Sequence, residues 1–492
     1  MVGKPILDFP QLLDEIKDDQ RIWDLFKNGI TATLNQVDSD NGTAQAKKFG
    51  IQSFEDGAFI AAAIRPSFNS WREQFLARKH YTTGSRQLDE VLKQTHSYIL
   101  FQENLMQYFD WLGVTPAESI GLIKKISKKK IKPEDFENLE GRLRKNWIEK
   151  TGSVLNFKET WEMIQSCISY GFCSSHAAAT SGDMCYGAYL KVHYPCQYYC
   201  VALNYYRGDT IRTRRLTDEL KYFGITLSDI KFRKSVADYS VDVENRIIYK
   251  GLASIKFLNE ECANSLYDLR NENYFSFVDL LAKIAEMRID SRQLGILIDL
   301  NFFSEFGTIG YLQKCNEIFT KYYGKKQIRK DKAFEEKLDF DLIRKFAQKE
   351  TPKMFTGLDS LGFIRELVKD LPQTEPTLRQ IIGYQLDHLG YLDIVDKKYK
   401  GICVVTSIDT KHSPKLTLYP LANGNSFEVK IPKKVFTMHP LSEKDIIHVF
   451  PDGCTHKYKN VFSDGKWVKD TTQKEWWVDR YTVMSDEEIP SD

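Results

Sequence analysis

The hydrophobic pattern changes its period along this chain of 492 residues, and that change limits the folds open to it. From about residue 20 to 225, apolar residues recur at every third or fourth position, which predicts a long series of amphipathic helices. Beyond residue 400 the apolar residues form short β-rich runs instead. An Asn423-Gly424 pair between two of these runs favours a hairpin. The sequence therefore predicts a mainly α-helical chain with a small C-terminal β domain.

The stretch between these regions also shows changes of pattern. Alternation around residues 239–250 predicts a short hairpin, and helical periodicity resumes over about 257–304. Residues 323–356 are rich in charge and poor in core-forming side chains, which is typical of a linker. The last eight residues are acidic, and we expect them to fray.

The composition excludes several classes of protein. Lys and Arg number 69 and Asp and Glu 67, so a net charge of +2 excludes a uniformly basic coat for nucleic acid. Nine cysteines without a C-x-x-C pair suit a reducing cytosol better than a disulfide framework. We find no signal peptide and no run of 18 apolar residues, so we expect a cytoplasmic protein.

One basic segment lies at residues 121–150. On a helix, Lys124 and Lys128 share one face and Lys125 and Lys129 share the next, which makes a doubled cationic ridge. Like charges at this spacing repel each other, so an anionic partner would compensate them. The alternative interpretation is a solvated helix face.

A second basic run, Arg207, Arg212, Arg214 and Arg215, follows the tyrosine-rich segment 194–206. Aromatic rings beside arginines can stack on nucleic-acid bases. The alternative is that the tyrosines pack this helix against its neighbours.

His176 follows Ser174-Ser175 at the start of a predicted helix. The free amides and positive end of a helix, together with a histidine donor, make a seat for an anion. A lone histidine more often has a structural role, and both interpretations stay open at this point.

His193, Cys196 and Cys200 share one helix face and resemble a metal site. Three ligands without a paired C-x-x-C motif make buried helix thiols the simpler interpretation.

Short motifs occur in a fixed order through residues 18–195. They are D-D-Q-R-I-W (18–23), T-L-N-Q-V-D-S (33–39), F-E-D-G-A-F (54–59), R-P-S-F (65–68), F-L-A-R-K-H-Y (75–81), F-Q-E-N-L-M (101–106), I-K-K-I-S-K-K-K (123–130), Y-G-F-C-S-S-H-A-A-A-T (170–180) and L-K-V-H-Y-P (190–195). In order and spacing they are similar to the fingers region of the bacterial replicative DNA polymerase III alpha subunit, a family C DNA polymerase. The family's R-P-G-P, F-I-x-R-K-H-G, L-R-R-A-M-G-K-K-K, Y-G-F-N-K-S-H-A-x-A-Y and L-K-A-H-Y-P correspond to the segments that begin at residues 65, 75, 123, 170 and 190.

The resemblance implies two groups of site residues. Those implied for the triphosphate of the incoming deoxynucleoside triphosphate (dNTP) are Arg65, Arg78, Lys79, Lys124, Lys125, Ser175 and His176. Those that we expect to bind DNA are Lys128, Lys129, Lys130, Arg212, Arg214 and Arg215. Ser174 stands in place of a family lysine, and the family's Gly-Pro after Arg65 is missing. The resemblance therefore implies an altered nucleotide site.

Residues 235–305 resemble the family's tandem helix-hairpin-helix module, with Phe257-Leu258-Asn259 in place of its G-V-G hairpin. A glycine hairpin lets backbone amides approach a duplex phosphate, so duplex binding by this hairpin is in doubt. The C-terminal β segment stands where the family has its oligonucleotide-binding (OB) barrel. The predicted domains are fingers (1–234), a helix-hairpin-helix-like module (235–322), a helical linker region (323–398) and an OB-like β domain with an acidic tail (399–492).

The family's palm motifs, P-D-x-D-x-D-F and K-F-D-F-L-G, do not occur in this sequence. Their aspartates hold the two metal ions of nucleotidyl transfer. The resemblance thus predicts part of a split replicative DNA-directed DNA polymerase that acts in DNA replication, inactive alone, with the palm and its Mg²⁺ on a second polypeptide. A split gene suits a bacteriophage or another compact genome, in a bacterial or phage-infected cytoplasm.

Two alternatives to the split enzyme remain. One is a non-catalytic protein that binds DNA or the replisome and is derived from the fingers, and the other is a piece cut from a longer chain. The segments 385–389 and 473–477 loosely resemble the glutamine-led peptides that bind sliding clamps, so a clamp is a further candidate partner beside primer-template DNA and dNTP.

Overall fold

The computed structural model describes residues 3–127, 132–169, 172–411, 413–463 and 466–490. The chain divides into two compact units. The first comprises residues 1–226 and 241–247, and the second comprises residues 227–240 and 248–492.

The first unit is α-helical. Its helices are α1 (Phe9–Ile16), α2 (Gln20–Asn28), α3 (Asp40–Phe49), α4 (Phe54–Ala63), α5 (Asn69–Leu76), α6 (Arg86–Val91), α7 (Gln102–Trp111), α8 (Pro116–Ser127), α9 (Pro133–Thr151), α10 (Phe157–Ser169), α11 (Ser174–His193), α12 (Pro195–Tyr205) and α13 (Thr210–Leu220). Side-chain oxygens of Asp19, Ser53 and Asp209 accept hydrogen bonds from backbone amides in the first turns of α2, α4 and α13. The predicted helical series over residues 20–225 is therefore confirmed.

Helix α11 packs closely on α4 within the core of this unit. A Cβ atom added to Gly57 on α4 would lie 2.3 Å from Oγ of Ser181 on α11, so only glycine allows this approach. The Ser181 hydroxyl also donates to the carbonyl oxygen of Phe54 at 2.6 Å. The run of small residues in α11 is thus a packing feature, and it holds the start of α11 in a defined position.

Three short strands, β1 (Thr226–Ser228), β2 (Ser240–Asp242) and β3 (Ile247–Tyr249), lie where the chain passes from one unit to the other. They form a sheet with the order β1-β3-β2. Strands β2 and β3 correspond to the predicted short hairpin at 239–250.

The second unit begins with helices and a small sheet. Its elements before residue 400 are α14 (Glu260–Asp268), α15 (Phe277–Ile284), α16 (Ser291–Asp299), α17 (Ile309–Tyr322), β4 (Gln327–Arg329), α18 (Lys330–Glu335), α19 (Phe340–Phe346), β5 (Ala347–Glu350), β6 (Met354–Leu358), α20 (Ser360–Val368) and α21 (Leu378–His388). The strands pair in the order β4-β6-β5. Buried Leu280, Phe303, Phe355 and Phe363 belong to one core.

Residues 323–398 differ from the predicted helical linker region, because they contain this three-stranded sheet and contribute to the core. Strand β4 buries only Ile328 between exposed Gln327 and Arg329. Because few side chains of this segment are buried and many are charged, its composition resembles that of a linker.

The C-terminal part of the second unit is a β domain. Its elements are β7 (Ile402–Asp409), β8 (Lys415–Pro420), β9 (Phe427–Lys430), α22 (Lys433–Met438), β10 (Ile446–Val449), β11 (Cys454–Ser463), β12 (Lys466–Val478) and β13 (Tyr481–Val483). In the described residues they form a curled half-barrel sheet with the order β11-β12-β9-β8-β7-β10-β13. Strand β9 pairs with β12 in parallel, and the other pairs are antiparallel. The predicted fold class, mainly α with a C-terminal OB-like β domain, is confirmed.

Each helix in the described part of the chain is too short or too polar to cross a lipid bilayer.

Candidate nucleotide and nucleic-acid interface

The start of helix α11 is held by a carboxylate from helix α7. The N-cap residue, Cys173, makes no side-chain cap, so the first amides of α11 need another acceptor. Oε2 of Glu103 accepts a hydrogen bond from the Ser174 amide at 2.9 Å, and its Oε1 accepts one from the Cys173 thiol at 3.3 Å. The Ser175 hydroxyl oxygen lies 3.0 Å from the Cys173 sulfur. The predicted anion seat is therefore partly occupied by the protein's own carboxylate.

Phe172 brings Arg65 and His176 together at this helix start. The Arg65 guanidinium lies 4.7 Å from the centroid of the Phe172 ring, and the His176 ring lies 5.0 Å from the same centroid. Nη2 of Arg65 donates to the side-chain oxygen of Gln36 at 2.8 Å, while its buried Nε has no hydrogen-bond partner among the described atoms. Ser175 and His176 are exposed. Arg65 and His176 therefore lie against the same Phe172 ring at the start of α11, and Ser175 is exposed in the first turn of that helix.

Arg78 is held by contacts within the fold. Its guanidinium donates to the buried Asp56 carboxylate at 2.6 Å and to the carbonyl oxygens of Phe49 and Gly50 at 3.2 and 2.9 Å. It also lies 4.2 Å from the centroid of the Phe49 ring. The neighbouring Lys79 is exposed. These contacts give Arg78 a structural role. The nucleotide contact that the resemblance implied for Arg78 stays a prediction.

The lysine ridge lies at the end of α8. Lys124 and Lys125 are exposed in its last turn, where positive charge is favourable at the negative end of a helix dipole. No described contact joins either lysine to Arg65, Ser175 or His176. Lys128, Lys129 and Lys130 lie outside the described residues.

The arginines predicted to bind DNA contact residues just before their own helix α13, residues within it, or the segment 38–43. Arg212 lies 4.7 Å from the Tyr206 ring centroid and 3.6 Å from an Asp209 oxygen, and Arg214 lies 4.0 Å from Asp218. Arg215 donates to the carbonyl oxygen of Asp38 and, at 3.3 Å, to the Thr43 hydroxyl. DNA binding by these arginines stays a prediction. The contacts of Arg215 with Asp38 and Thr43 stabilise the fold.

A buried ion pair, which the sequence did not reveal, fixes the other end of α11. Nζ of Lys191, which is fully buried, lies 2.6 Å from Oε2 of Glu219 on α13. Tyr199 donates to the same oxygen at 2.6 Å, and the Ala32 amide donates to Oε1 at 2.8 Å. Burial lowers the pKa of Lys191 to about 8. The only signal in the sequence was a lysine inside the L-K-V-H-Y-P motif.

His193 contacts a carboxylate and an aromatic ring. Its Nε2 lies 3.1 Å from the Asp19 carboxylate, and its ring stacks on Tyr189 with centroids 4.4 Å apart. The Arg21 hydrogen bond lowers the pKa of Asp19. In the part of the chain that the structure covers, no group of three or more His, Cys, Asp and Glu side chains could hold a metal ion.

Phe257, the first residue of the segment that stands in place of the family's G-V-G hairpin, has a backbone conformation typical of glycine. Phe257 adopts a φ of 68°, in the left-handed region that favours glycine. Phe257 is 54% exposed, and the Arg292 guanidinium lies 3.3 Å from the centroid of its ring. An aromatic side chain with an arginine close to its ring therefore stands where the resemblance implies a glycine.

Comparison with known proteins matches two regions of this chain that the sequence motifs predicted, the fingers and the helix-hairpin-helix-like module. The family model for the bacterial DNA polymerase III alpha subunit finger domain matches residues 10–151, and the helix-hairpin-helix motif model matches residues 224–309. The DNA polymerase III subunit alpha of Aquifex aeolicus is 28% identical over 413 residues, which are 81% of this chain and 33% of the relative. The Campylobacter jejuni subunit is 26% identical over 409 residues, covering 78% and 33%, and the Staphylococcus epidermidis subunit is 26% identical over 300 residues, covering 59% and 28%.

The chain spans about a third of the length of these curated relatives. Within that span, the order of fingers motifs, the helix-hairpin-helix region and the OB-like sheet agree with the predicted family. The chain is therefore related to the C-terminal region of the bacterial DNA polymerase III alpha subunits, across their finger domain and helix-hairpin-helix motif.

Proposed function

We propose that this chain is the fingers and C-terminal portion of a split DNA-directed DNA polymerase, with the palm on a second polypeptide. The observation that carries the proposal is the cluster of Arg65, Phe172 and His176 at the start of α11, in a chain related to polymerase fingers. In this function the chain binds the triphosphate of the incoming dNTP and the primer-template.

The cluster suits a triphosphate for electrostatic reasons. A helix start combines free amides with the positive end of the helix dipole, and the amides of Ser175 and His176 belong to the first turn of α11. Arg65 adds a guanidinium charge 4.7 Å from the centroid of the Phe172 ring, and its Nε has no hydrogen-bond partner among the described atoms. Because α4 and α7 hold these groups in place before a ligand binds, they would stabilise charge that develops on the leaving pyrophosphate.

Glu103 limits where the phosphates can bind. Its carboxylate already accepts from the Ser174 amide, so phosphate oxygens next to it would meet like charge. In our proposal the triphosphate therefore contacts the side of the helix start that carries Arg65 and His176, away from Glu103.

The described residues do not fit the two Mg²⁺ ions of nucleotidyl transfer. Their carboxylates, histidines and cysteines form no group that could hold a metal ion, and the palm motifs are absent from the sequence. In the proposed complex the metal ligands would come from the second polypeptide, and we assign no metal-dependent step to this chain.

Primer extension tests the proposal. We expect the purified chain alone to extend no primer, because it carries no set of palm carboxylates. A polypeptide from the same genome that contains P-D-x-D-x-D-F and K-F-D-F-L-G should restore magnesium-dependent extension when mixed with it. Extension by the isolated chain, with contaminating polymerase excluded, would contradict the split arrangement.

A non-catalytic DNA-binding protein is the second candidate. It is favoured by the ion pair of Arg78 with Asp56, since an arginine that already pairs with a carboxylate is less available to a nucleotide. If no palm polypeptide restores extension while the chain binds primer-template with strong salt dependence, this second function is correct.

A further inference from the structure

Phe257 is an exposed aromatic residue on a fixed part of the backbone in the second unit. Its neighbours Ile255 and Leu258 are buried in the core of this unit, whereas Phe257 is about half exposed. The Leu258 amide donates to the carbonyl oxygen of Ile255 at 3.2 Å, and Nε2 of Gln293 donates to the carbonyl oxygen of Phe257 at 3.3 Å. The core and these hydrogen bonds therefore hold the backbone, while Phe257 itself stays open to solvent.

The conformation of Phe257 costs stability. Its φ of 68° lies in the left-handed region, which strains any residue with a Cβ atom and which glycine adopts without strain. An exposed ring also gains little from the hydrophobic effect. A cation–π contact between two exposed residues, such as that with Arg292, offsets this strain at best. Because strained residues cluster at ligand sites, the retention of an aromatic ring here points to a binding role.

Two cations stand beside this ring. Lys256 precedes Phe257 in the chain and is exposed, and the exposed Arg292 has its guanidinium 3.3 Å from the ring centroid. Neither cation forms an ion pair with a residue that the structure describes, whereas Arg288 lies 3.6 Å from Glu261. Lys256 and Arg292 can therefore contact an anionic ligand without giving up a carboxylate partner.

An aromatic ring with cations beside it suits an unpaired nucleotide. Bases stack on aromatic rings and on guanidinium groups, while phosphates bind the neighbouring lysine and arginine side chains. A base inside a duplex is already stacked and paired, so an unpaired base reaches the ring at a lower cost. A protein partner would need a surface with an apolar centre, and the exposed residues next to Phe257, which include Lys256, Glu260 and Arg292, are charged.

We infer that Phe257 is a stacking platform for one unpaired base of single-stranded DNA, with Lys256 and Arg292 beside the adjoining phosphates. These residues are distinct from the cluster at the start of α11. The inference rests on the proposed function in one respect, that an unpaired template strand is then present. Binding of oligonucleotides to this chain tests it without primer extension.

The test compares the affinity of the full chain for two oligonucleotides of equal charge, measured by fluorescence anisotropy. One is a 30-nucleotide thymidine oligomer, and the other is an abasic oligomer with the same number of phosphates. We expect Phe257→Leu to weaken binding of the thymidine oligomer at least about 5-fold, the lower limit for losing one base–aromatic stack. Binding of the abasic oligomer should stay unchanged, because leucine removes only the aromatic face.

Phe275→Leu is the matched control, since Phe275 is a fully exposed phenylalanine of the same unit. It should bind both oligomers as the parent chain does, and Phe257→Trp, which keeps an aromatic face, should retain affinity for the thymidine oligomer. Lys256→Gln should weaken binding of both oligomers and flatten the salt dependence by about 0.7 in log-log slope, the value for one phosphate of a single strand.

Phe257→Gly shows whether the ring is retained for binding or for stability. Glycine adopts a φ of 68° without strain, so this variant should unfold in urea at a midpoint no lower than that of the parent chain. It should nevertheless lose affinity for the thymidine oligomer as Phe257→Leu does. A clearly lower midpoint would mean that the ring stabilises the fold, and the inference would be wrong.

Three binding results would also overturn the inference. Parental affinity of Phe257→Leu for the thymidine oligomer would show that the ring stacks on no base. Equal weakening of both oligomers would show that the ring acts only on the phosphate contacts. Weaker binding of a 30-base-pair duplex alone would place duplex DNA at this site. The proposed function is judged separately, by primer extension with the palm polypeptide.

Discussion

Replacing Lys191 by methionine tests the buried ion pair that holds α11 to α13. The change keeps most of the apolar stem and removes the ammonium group, which lies 2.6 Å from Glu219 and 3.3 Å from the Ile30 carbonyl oxygen. The Glu219 carboxylate would then stay buried with two neutral donors, the Tyr199 hydroxyl and the Ala32 amide.

The expected cost follows from this geometry. Breaking a buried ion pair by removing one partner costs about 3–5 kcal/mol, and we expect the lower end because two donors remain on Glu219. In the double variant Lys191→Met, Glu219→Gln, the new amide oxygen can still accept from the Ala32 amide, and the new NH2 group can donate to the Tyr199 hydroxyl oxygen. Since no charge is then buried, we expect the double variant to recover most of the loss, to within about 1 kcal/mol of the parent chain.

The ion pair also predicts a pH dependence. Burial lowers the pKa of Lys191 to about 8 from an ordinary value of 10.5. Between these two values the unfolded chain binds more protons than the folded one, so the Lys191 contribution makes the free energy of unfolding rise with pH. The slope from one proton is at most about 1.4 kcal/mol per pH unit, and the contribution levels off below pH 8 and above pH 10.5.

Urea unfolding at pH 7, 8, 9 and 9.5, with hydrogen exchange of α11 to α13 to localise the effect, measures both expectations. We limit the measurement to pH 9.5 because burial raises the pKa of Tyr199. Above pH 10 tyrosine ionises more readily in the unfolded chain than at this buried position, so its ionisation lowers the free energy of unfolding. The free energy of the parent chain should rise with pH relative to that of Lys191→Met. Parental stability of Lys191→Met at pH 7, or a double variant less stable than the single one, would refute the reasoning.

Two further predictions concern binding. In a reconstituted polymerase, His176→Ala should lower kcat/KM for the incoming nucleotide by about one to three orders of magnitude, the range for losing one preorganised donor, while primer-template affinity stays near the parental value. His193→Ala, which loses the Asp19 hydrogen bond, should lower the free energy of unfolding instead; selective loss of nucleotide in that variant would contradict our placement of the site. Charge reversal at Lys128 and Lys129 should flatten the salt dependence of duplex binding by about 0.9 in log-log slope for each phosphate that is no longer neutralised, and an unchanged slope would favour a solvated helix face.

Much of the architecture was predictable because it depends on local pattern. The helical series, the hairpin at 239–250 and the β runs beyond residue 400 each follow from the spacing of apolar residues. The segment 323–398 was not predictable in this way, because β4 buries one side chain and the pairing partner of that strand is far along the chain.

In the candidate site, too, some features were predictable from the sequence and others depended on contacts between distant residues. Motif order was sufficient to select Arg65, Ser175 and His176, and the structure places all three at the start of α11. The same motifs also selected Arg78 and gave no indication of its ion pair with Asp56, because the two residues are 22 positions apart.

The sequence by itself determined the fold class, the family relationship and the absence of palm motifs, because periodicity, motif order and residue identity are properties of the chain alone. Only the tertiary structure decided which charged groups already have partners. Glu103 at the start of α11 and Glu219 beneath Lys191 come from distant helices, and their contacts exist only once those helices pack. The availability of a cation for a phosphate depends on such packing, because a guanidinium or ammonium group that already pairs with a buried carboxylate gives up that contact to bind a ligand.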